Sequence, residues 1–270
     1  MSKYEEKLKT AEQVADIVRD GMWVDFGGVQ IPRAFDRALA QRAGKLKKVK
    51  VRMIGHLTPL EIMKNDPQGQ SFWTTNWHIL GHSRTYIAEN RGTHTPYNFG
   101  EVPRYYREIL DVDIAVQTVT PMDKHGYFNF GPLSNFKKAV FEKAKIKVVE
   151  VVEDMPWCYG GYDECIHISD IDHIIENKTD KLITIPPSAA TDTEKKIAEN
   201  IAGLIPKDGP CIQVGIGGLP DMVLRQLANS GAHDIGIHTE MVTEAIMELH
   251  EAGLITGRKK TFLPEKMGII

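Results

Sequence analysis

Asp208-Gly-Pro-Cys-Ile-Gln-Val-Gly-Ile-Gly-Gly-Leu-Pro220 is the better of two related stretches in this chain for reading its fold. Shifted by 188 positions, Asp208–Ala228 lies over Asp20–Ala40, and seven of the 21 positions are identical. They are Asp20/Asp208, Gly21/Gly209, Gly27/Gly215, Pro32/Pro220, Arg37/Arg225, Leu39/Leu227 and Ala40/Ala228. Val24/Ile212, Phe26/Val214 and Ile31/Leu219 are near matches. Each copy follows a helical pattern and spells a turn, a short apolar strand, a glycine turn, a proline and a helix. One supersecondary unit used twice would open two similar domains. A generic strand–turn–helix that merely occurs twice is the alternative.

The surrounding chain agrees with a layered architecture. Residues 4–19 read as an amphipathic helix, Trp23–Phe26 as a strand, and Arg33–Ala43 as a helix. Lys48–Ile54, Asp113–Thr118 and Lys145–Val152 read as strands, with a helix over Asn135–Lys143 between the last two. Strand alternating with helix predicts an α/β fold: a mainly parallel sheet with helices on both faces. Residues 55–110, rich in aromatics, histidine and proline, read as irregular structure with short elements. Asp180–Asp192, with Pro186-Pro187-Ser188 at its centre, reads as a connection between domains. The second repeat copy has far less chain after it than the first. Its sheet is therefore expected to be incomplete at Ile270, the remainder coming from a longer protein or a partner subunit.

The 270 residues are 42% hydrophobic, 26% charged and 8% aromatic, which excludes disorder and a disulfide scaffold as the main organisation. No run approaches the ~18 apolar residues of a membrane span, and the charged start lacks the apolar core of a secretory signal. The three cysteines, Cys158, Cys165 and Cys211, are not in CxxC spacing, which fits a reducing cytoplasm. With a net charge of −3 there is no global signal for nucleic-acid binding.

Three segments carry candidate chemistry. The first is Gly215-Ile216-Gly217-Gly218-Leu219, after a strand at Cys211–Val214 and before a helix opened by Pro220, where proline's missing N–H is not needed. Glycines let a ligand approach the backbone, and amides at a helix start favour negative charge. A dinucleotide fingerprint fails because its sixth position is Pro220, and a Walker loop fails for want of Gly-Lys-Ser/Thr. A tight turn beneath a parallel sheet is the alternative. The second segment is Asp234-Ile-Gly-Ile-His-Thr-Glu-Met241, followed by a helix from Val242 to Ala252. It sets His238, Thr239 and Glu240 at a strand end, where open α/β sheets bind ligands. Against that, Thr239 suits a helix N-cap and Glu240 a first helical turn. The third is Thr120-Pro-Met-Asp-Lys-His-Gly-Tyr127, a turn in which His125 is either a general acid–base or a loop-forming side chain. Cys158, Cys165, His167 and His173 match no zinc spacing, so no metal is expected. Lys45-Leu-Lys-Lys-Val-Lys50 reads as a solvated basic surface.

Together, Thr120–Tyr127, Ile166-His-Ile-Ser-Asp-Ile-Asp172, Val214–Pro220 and Gly236–Met241 occur in an order that resembles the acetyl-CoA hydrolase/transferase family. Within it, the chain is most similar to 4-hydroxybutyrate and butyryl-CoA:acetate CoA-transferases. The resemblance implies two CoA-transferase-type domains, one over 1–190 and the start of a second, truncated, over 191–270. It makes Glu240 the nucleophile and places Gly215–Leu219 beside coenzyme A. It implies acyl-CoA and short carboxylic acids as substrates, with no tightly bound cofactor, and neither nucleic acid nor membrane as partner. A homo-oligomer, or a chain that needs a further C-terminal part, is expected. The family's second glycine-rich motif, near GVGGQ, does not occur here. Acyl-CoA hydrolysis through the same glutamyl thioester, or an inactive fragment or subunit, are the alternatives to transfer. His238 and His125 are expected as groups that orient Glu240 or the acyl carboxylate.

Overall fold

The computed structural model describes residues 2–184 and 190–269, so the Pro186-Pro187-Ser188 centre of the expected connection lies outside the described residues. Contacts divide the chain into two units, Met1–Ile183 and Thr184–Ile270.

The first unit begins with helices α1 (Lys3–Lys7) and α2 (Ala11–Ala15). It continues through β1 (Trp23–Gly27), α3 (Arg33–Ala40), β2 (Val49–Met53), α4 (Glu61–Asn65), β3 (Phe72–Asn76), α5 (Gly81–Ala88) and β4 (Gly92–His94). After α6 (Val102–Glu108) come β5 (Ile114–Val119), β6 (Tyr127–Asn129), α7 (Lys137–Lys143), β7 (Ile146–Val152), β8 (Cys165–His167) and β9 (His173–Asn177). Seven strands form one sheet in the order β4-β3-β2-β1-β5-β7-β9, every neighbouring pair parallel. The strand order reverses between β1 and β5. β6 and β8 form a separate antiparallel ribbon.

Alternation along the strands builds two apolar layers. Ile114 and Val116 of β5 join Val24, Phe35 and Leu39 on one face, while Ala115 and Val119 join Phe136 and Phe141 on the other. Both faces are buried, as an all-parallel sheet requires.

In the first unit the structure departs from the sequence reading at its start and in the long middle section. The expected helix over 4–19 is two helices, because Ser2 and Thr10 each close a capping box. Between them the chain is extended at Leu8, and the Lys9 amide bonds to Ile174 O at the sheet edge. Residues 55–110 carry short elements as expected, but these are β3, β4 and three α-helices, and both strands extend the main sheet rather than forming irregular structure. These strands are short and polar, and Thr74, Thr75 and Asn76 are buried through pairing rather than through apolar character.

The second unit holds α8 (Asp192–Leu204), β10 (Cys211–Ile212), α9 (Gly218–Leu227), β11 (Gly236–Thr239), α10 (Glu244–Glu251) and β12 (Gly268–Ile269). Its strands run parallel in the order β10-β11-β12, as β1-β2-β3 do. The repeat extends to backbone detail. Gly21 and Gly209 both take positive φ, 74° and 65°, and their amides bond to Lys47 O and His233 O at 2.9 and 3.0 Å. Trp23 pairs with Lys50, and Cys211, its repeat partner, pairs with Gly236. Arg37 pairs with Asp180, and its counterpart Arg225 grips Glu248 with two 3.0 Å bonds.

Candidate functional site

The C-terminal ends of β10 and β11 carry both the glycine turn and Glu240. Leaving β10, the chain passes through buried Val214 to exposed Gly215, Ile216 and Gly217. Gly217 takes φ 138°, a backbone region that L side chains rarely adopt. A Cβ at Gly215 would meet no atom within 4 Å, so the bare backbone there faces open space. Gly217 caps α9, which starts at Gly218 rather than at Pro220 and has no side-chain cap. Pro220 is the third helical residue, still among the positions that need no N–H. The amides of Gly218 and Leu219 therefore form the uncapped positive end of a ten-residue helix.

The β11 side is held to this turn by Thr239. Its hydroxyl donates to Val214 O at 2.8 Å and accepts from Val214 N at 3.1 Å, and both residues are buried. Glu240 follows as the first residue past the strand and is exposed. Among the described residues, no hydrogen bond or ion pair engages its carboxylate. The helix expected from Val242 begins at Glu244, with Thr243 in the N-cap position but making no side-chain cap bond. Thr239 is thus not the N-cap and Glu240 is not in a first helical turn, which removes the helix-forming account of both.

His238 packs elsewhere. Its ring stands 5.9 Å from that of Phe262 and lies against Gly268, with no hydrogen bond to Glu240 among the described residues. His125 belongs to the first unit and is exposed on a turn closed by Asp123. Asp123 Oδ1 accepts from Tyr127 N at 2.8 Å and His125 N at 2.9 Å, and these backbone bonds hold its carboxyl below the usual range. Ile166–Asp172 is also architectural: Asp172 accepts from Lys147 N at 2.8 Å, and Ile168 O accepts from Lys7 Nζ at 2.9 Å. Cys158 and Cys165 meet across Asn129, whose Nδ2 donates to Cys158 O and to Cys165 Sγ. In the Lys45–Lys50 run Lys45, Lys47 and Lys48 are exposed, while Leu46 and Val49 are buried. Among the described residues one group with metal-ligand geometry occurs, Asp208, His233 and Asp234, and Asp208 is already paired with Lys259.

Sequence reasoning missed the buried charges of the first unit. Glu150 lies wholly buried on β7 and caps α3, accepting from Phe35 N at 2.9 Å and Ala34 N at 3.1 Å. The lack of a Ser, Thr, Asp or Asn at the start of α3 was the only signal for this remote cap. The same supersecondary unit thus holds a carboxylate at its helix start in the first copy and leaves that end without a side-chain cap in the second.

A parallel sheet with a glycine turn, an uncapped helix start and an exposed carboxylate at its C-terminal edge defines an open α/β protein. The chain belongs to the acetyl-CoA hydrolase/transferase family, whose N-terminal domain model matches residues 1–186. It is 41% identical over 96% of its length to a butyryl-CoA:acetate CoA-transferase of Anaerostipes caccae. It is 36% identical over 98% to a 4-hydroxybutyrate coenzyme A transferase of Clostridium kluyveri. The chain spans 58% and 60% of the length of these two relatives. Among solved structures it resembles RipA from Yersinia pestis, with a TM-score of 0.86 and 29% identity, covering 99% of this chain and 64% of that one.

Proposed function

We propose that this chain carries the nucleophile of a CoA-transferase, Glu240, and part of the CoA-binding surface, Gly215–Leu219. The observation that supports this reading best is the Thr239–Val214 bond pair, which keeps an uncommitted glutamate beside the glycine turn. The names of the relatives support the substrate class, short-chain acyl-CoA and carboxylates.

The chemistry follows from the carboxylate. A Glu240 oxygen attacks the thioester carbonyl, the C–S bond breaks, and CoA thiolate leaves behind an acyl-glutamyl anhydride. The thiolate attacks the glutamyl carbonyl, the C–O bond breaks, and the free acid departs. The resulting glutamyl-CoA thioester is attacked by an acceptor carboxylate, and the same steps run in reverse. This is covalent, ping-pong catalysis with CoA as substrate and no prosthetic group. Each addition makes an oxyanion, which the uncapped amides of Gly218 and Leu219 would serve as donors.

The full-length natural protein, incubated with butyryl-CoA and then reduced with borohydride, should carry its label on Glu240 by peptide mass. Label on another residue, or full transfer by Glu240→Ala, rejects the assignment. The exposure of Glu240 favours hydrolysis as the second reading, since water then reaches the glutamyl thioester. Adding acetate separates the two: transfer yields acetyl-CoA, whereas hydrolysis yields free CoA at an unchanged rate.

A further inference from the structure

In the first unit, three fully buried polar side chains meet where β2, β3 and α5 converge: His56, Asn76 and Ser83. His56 Nδ1 lies 2.8 Å from Thr58 O, and Nε2 lies 3.1 Å from Ser83 Oγ. Ser83 Oγ lies 3.2 Å from Asn76 Oδ1, while Asn76 Nδ2 is buried without a partner. No step of the proposed transfer uses these groups.

Counting protons shows that this arrangement has two self-consistent states. A carbonyl only accepts, so His56 Nδ1 carries a hydrogen toward Thr58 O. If the imidazole is neutral, Nε2 is a lone pair, and the Ser83 hydroxyl must donate to it. Ser83 has one proton, so it cannot also donate to Asn76 Oδ1, and two oxygens would then face each other at 3.2 Å without a hydrogen. Reversing the Asn76 amide removes the conflict: Nδ2 donates to Ser83 Oγ, and Oγ donates to Nε2. The atom left unpaired becomes a carbonyl oxygen, which costs less than an unpaired buried N–H. If the imidazole is protonated, both ring nitrogens donate. Ser83 then passes its proton to Asn76 Oδ1, and the amide N–H is the orphan. The other neutral tautomer would aim a bare Nδ1 at Thr58 O across 2.8 Å, which is repulsive.

We propose that His56, Ser83 and Asn76 form a proton switch: in the neutral state Asn76 donates to Ser83 and Ser83 to His56, and protonation of His56 reverses both the hydroxyl and the amide. The charged state buries a cation and strands an N–H, so acid weakens the hold of α5 on the ends of β2 and β3. Burial keeps the imidazole below its ordinary value, with His82 adding to the effect. The titratable groups that face it, His82 and Tyr86, both come from α5, with rings at 6.0 and 5.6 Å. Tyr86 in turn meets Arg91 and feels Asp36 of α3 and Lys64 of α4.

The test is long-range nitrogen–proton NMR of the histidine side chains in the full chain. At pH 7.5, His56 should show Nδ1 protonated and Nε2 bare. Asn76→Asp, which can only accept, should draw the Ser83 proton away and raise the proton affinity of His56 at least about tenfold. A protonated Nε2 in the unsubstituted protein at pH 7.5 overturns the proposal, and so does an unchanged His56 titration in folded Asn76→Asp. The first measurement needs no variant, so a variant that fails to fold leaves the proposal exposed to refutation.

Discussion

Thr239 and Val214 exchange two hydrogen bonds through one hydroxyl, which donates at 2.8 Å and accepts at 3.1 Å. This side-chain bridge takes over where the β10–β11 ladder ends at Ile212–Ile237. It fixes the separation between the glycine turn and the residue that follows Thr239. Backbone pairing alone would leave both Val214 groups unpaired in a buried position.

Thr239→Val keeps the shape and removes both bonds. It should destabilise the second unit by about 1–3 kcal/mol, the cost of leaving buried backbone groups unmet. Thr239→Ser should restore most of that loss. All four tryptophans lie in the first unit, so amide hydrogen exchange of β10 and β11, rather than tryptophan fluorescence, is the measurement. Equal protection in wild type and Thr239→Val would show that the bridge is idle.

Glu240→Gln should behave in the opposite way. The side chain is exposed and unpaired, so stability should change by less than about 0.5 kcal/mol. If the proposed chemistry is right, the full-length protein should nevertheless lose acyl-CoA turnover and borohydride labelling together. An unfolding midpoint that falls as far as activity does would instead make Glu240 a structural residue.

How much of this was legible in advance differs between strands and site. Ile114–Val119 and Ile146–Val152 are mostly apolar, broken only by Gln117 and Thr118 in one and by Lys147 and Glu150 in the other, and burial on both faces made them readable. Phe72–Asn76 was not, since Thr74, Thr75 and Asn76 are polar and owe their burial to neighbours distant in sequence. Glu240 was singled out by its motif and its strand-end position. What frees it from a helix is the start of α10 at Glu244, a boundary that propensity places only to within a few residues. The Glu150 cap on α3 joins residues more than a hundred positions apart, and no local pattern announces it.

Asp36 gives a pH signature to the first unit. It accepts from Glu61 N and Ile62 N at the start of α4, yet burial pushes its carboxyl up to about 7. The folded state thus binds a proton more tightly than the unfolded chain. Its contribution to stability is fully present below about pH 4 and is lost as pH rises through about 7. Urea unfolding by tryptophan fluorescence should show this loss in wild type, and Asp36→Asn should flatten it. A slope unchanged by the substitution would mean that Asp36 is ionised throughout.

Gly27 tests how tightly the first glycine turn is built. It takes φ 70°, its amide donates to Asp25 Oδ1 at 2.9 Å, and an added Cβ would overlap Gln117 Oε1. Gly27→Ala should cost about 2–4 kcal/mol, from left-handed backbone strain and from overpacking. Gln117→Ala in the same chain should recover the overpacking but not the strain, so the double variant is less damaged than the sum of the singles. Strict additivity would show that the turn moves away from Gln117.

Lys137 opposes Asp36 in sign. Its ammonium is fully buried, donates to Phe130 O at 3.1 Å and Thr118 O at 3.2 Å, and meets no carboxylate in those bonds. Burial pulls its value down to about 7 from the ordinary 10.5. Between those limits the unfolded chain binds more protons than the folded one, so stability rises with pH across about 7 to 10.5. The two carbonyls favour the charged form and limit the gain to the order of a few kcal/mol. Lys137→Met fills the same volume without a charge and should remove the rise, leaving the variant nearest to wild type above about pH 10. Unfolding free energies at pH 7 and pH 9.5 decide it: a rise that survives in Lys137→Met belongs to another group, and its disappearance assigns it to this lysine.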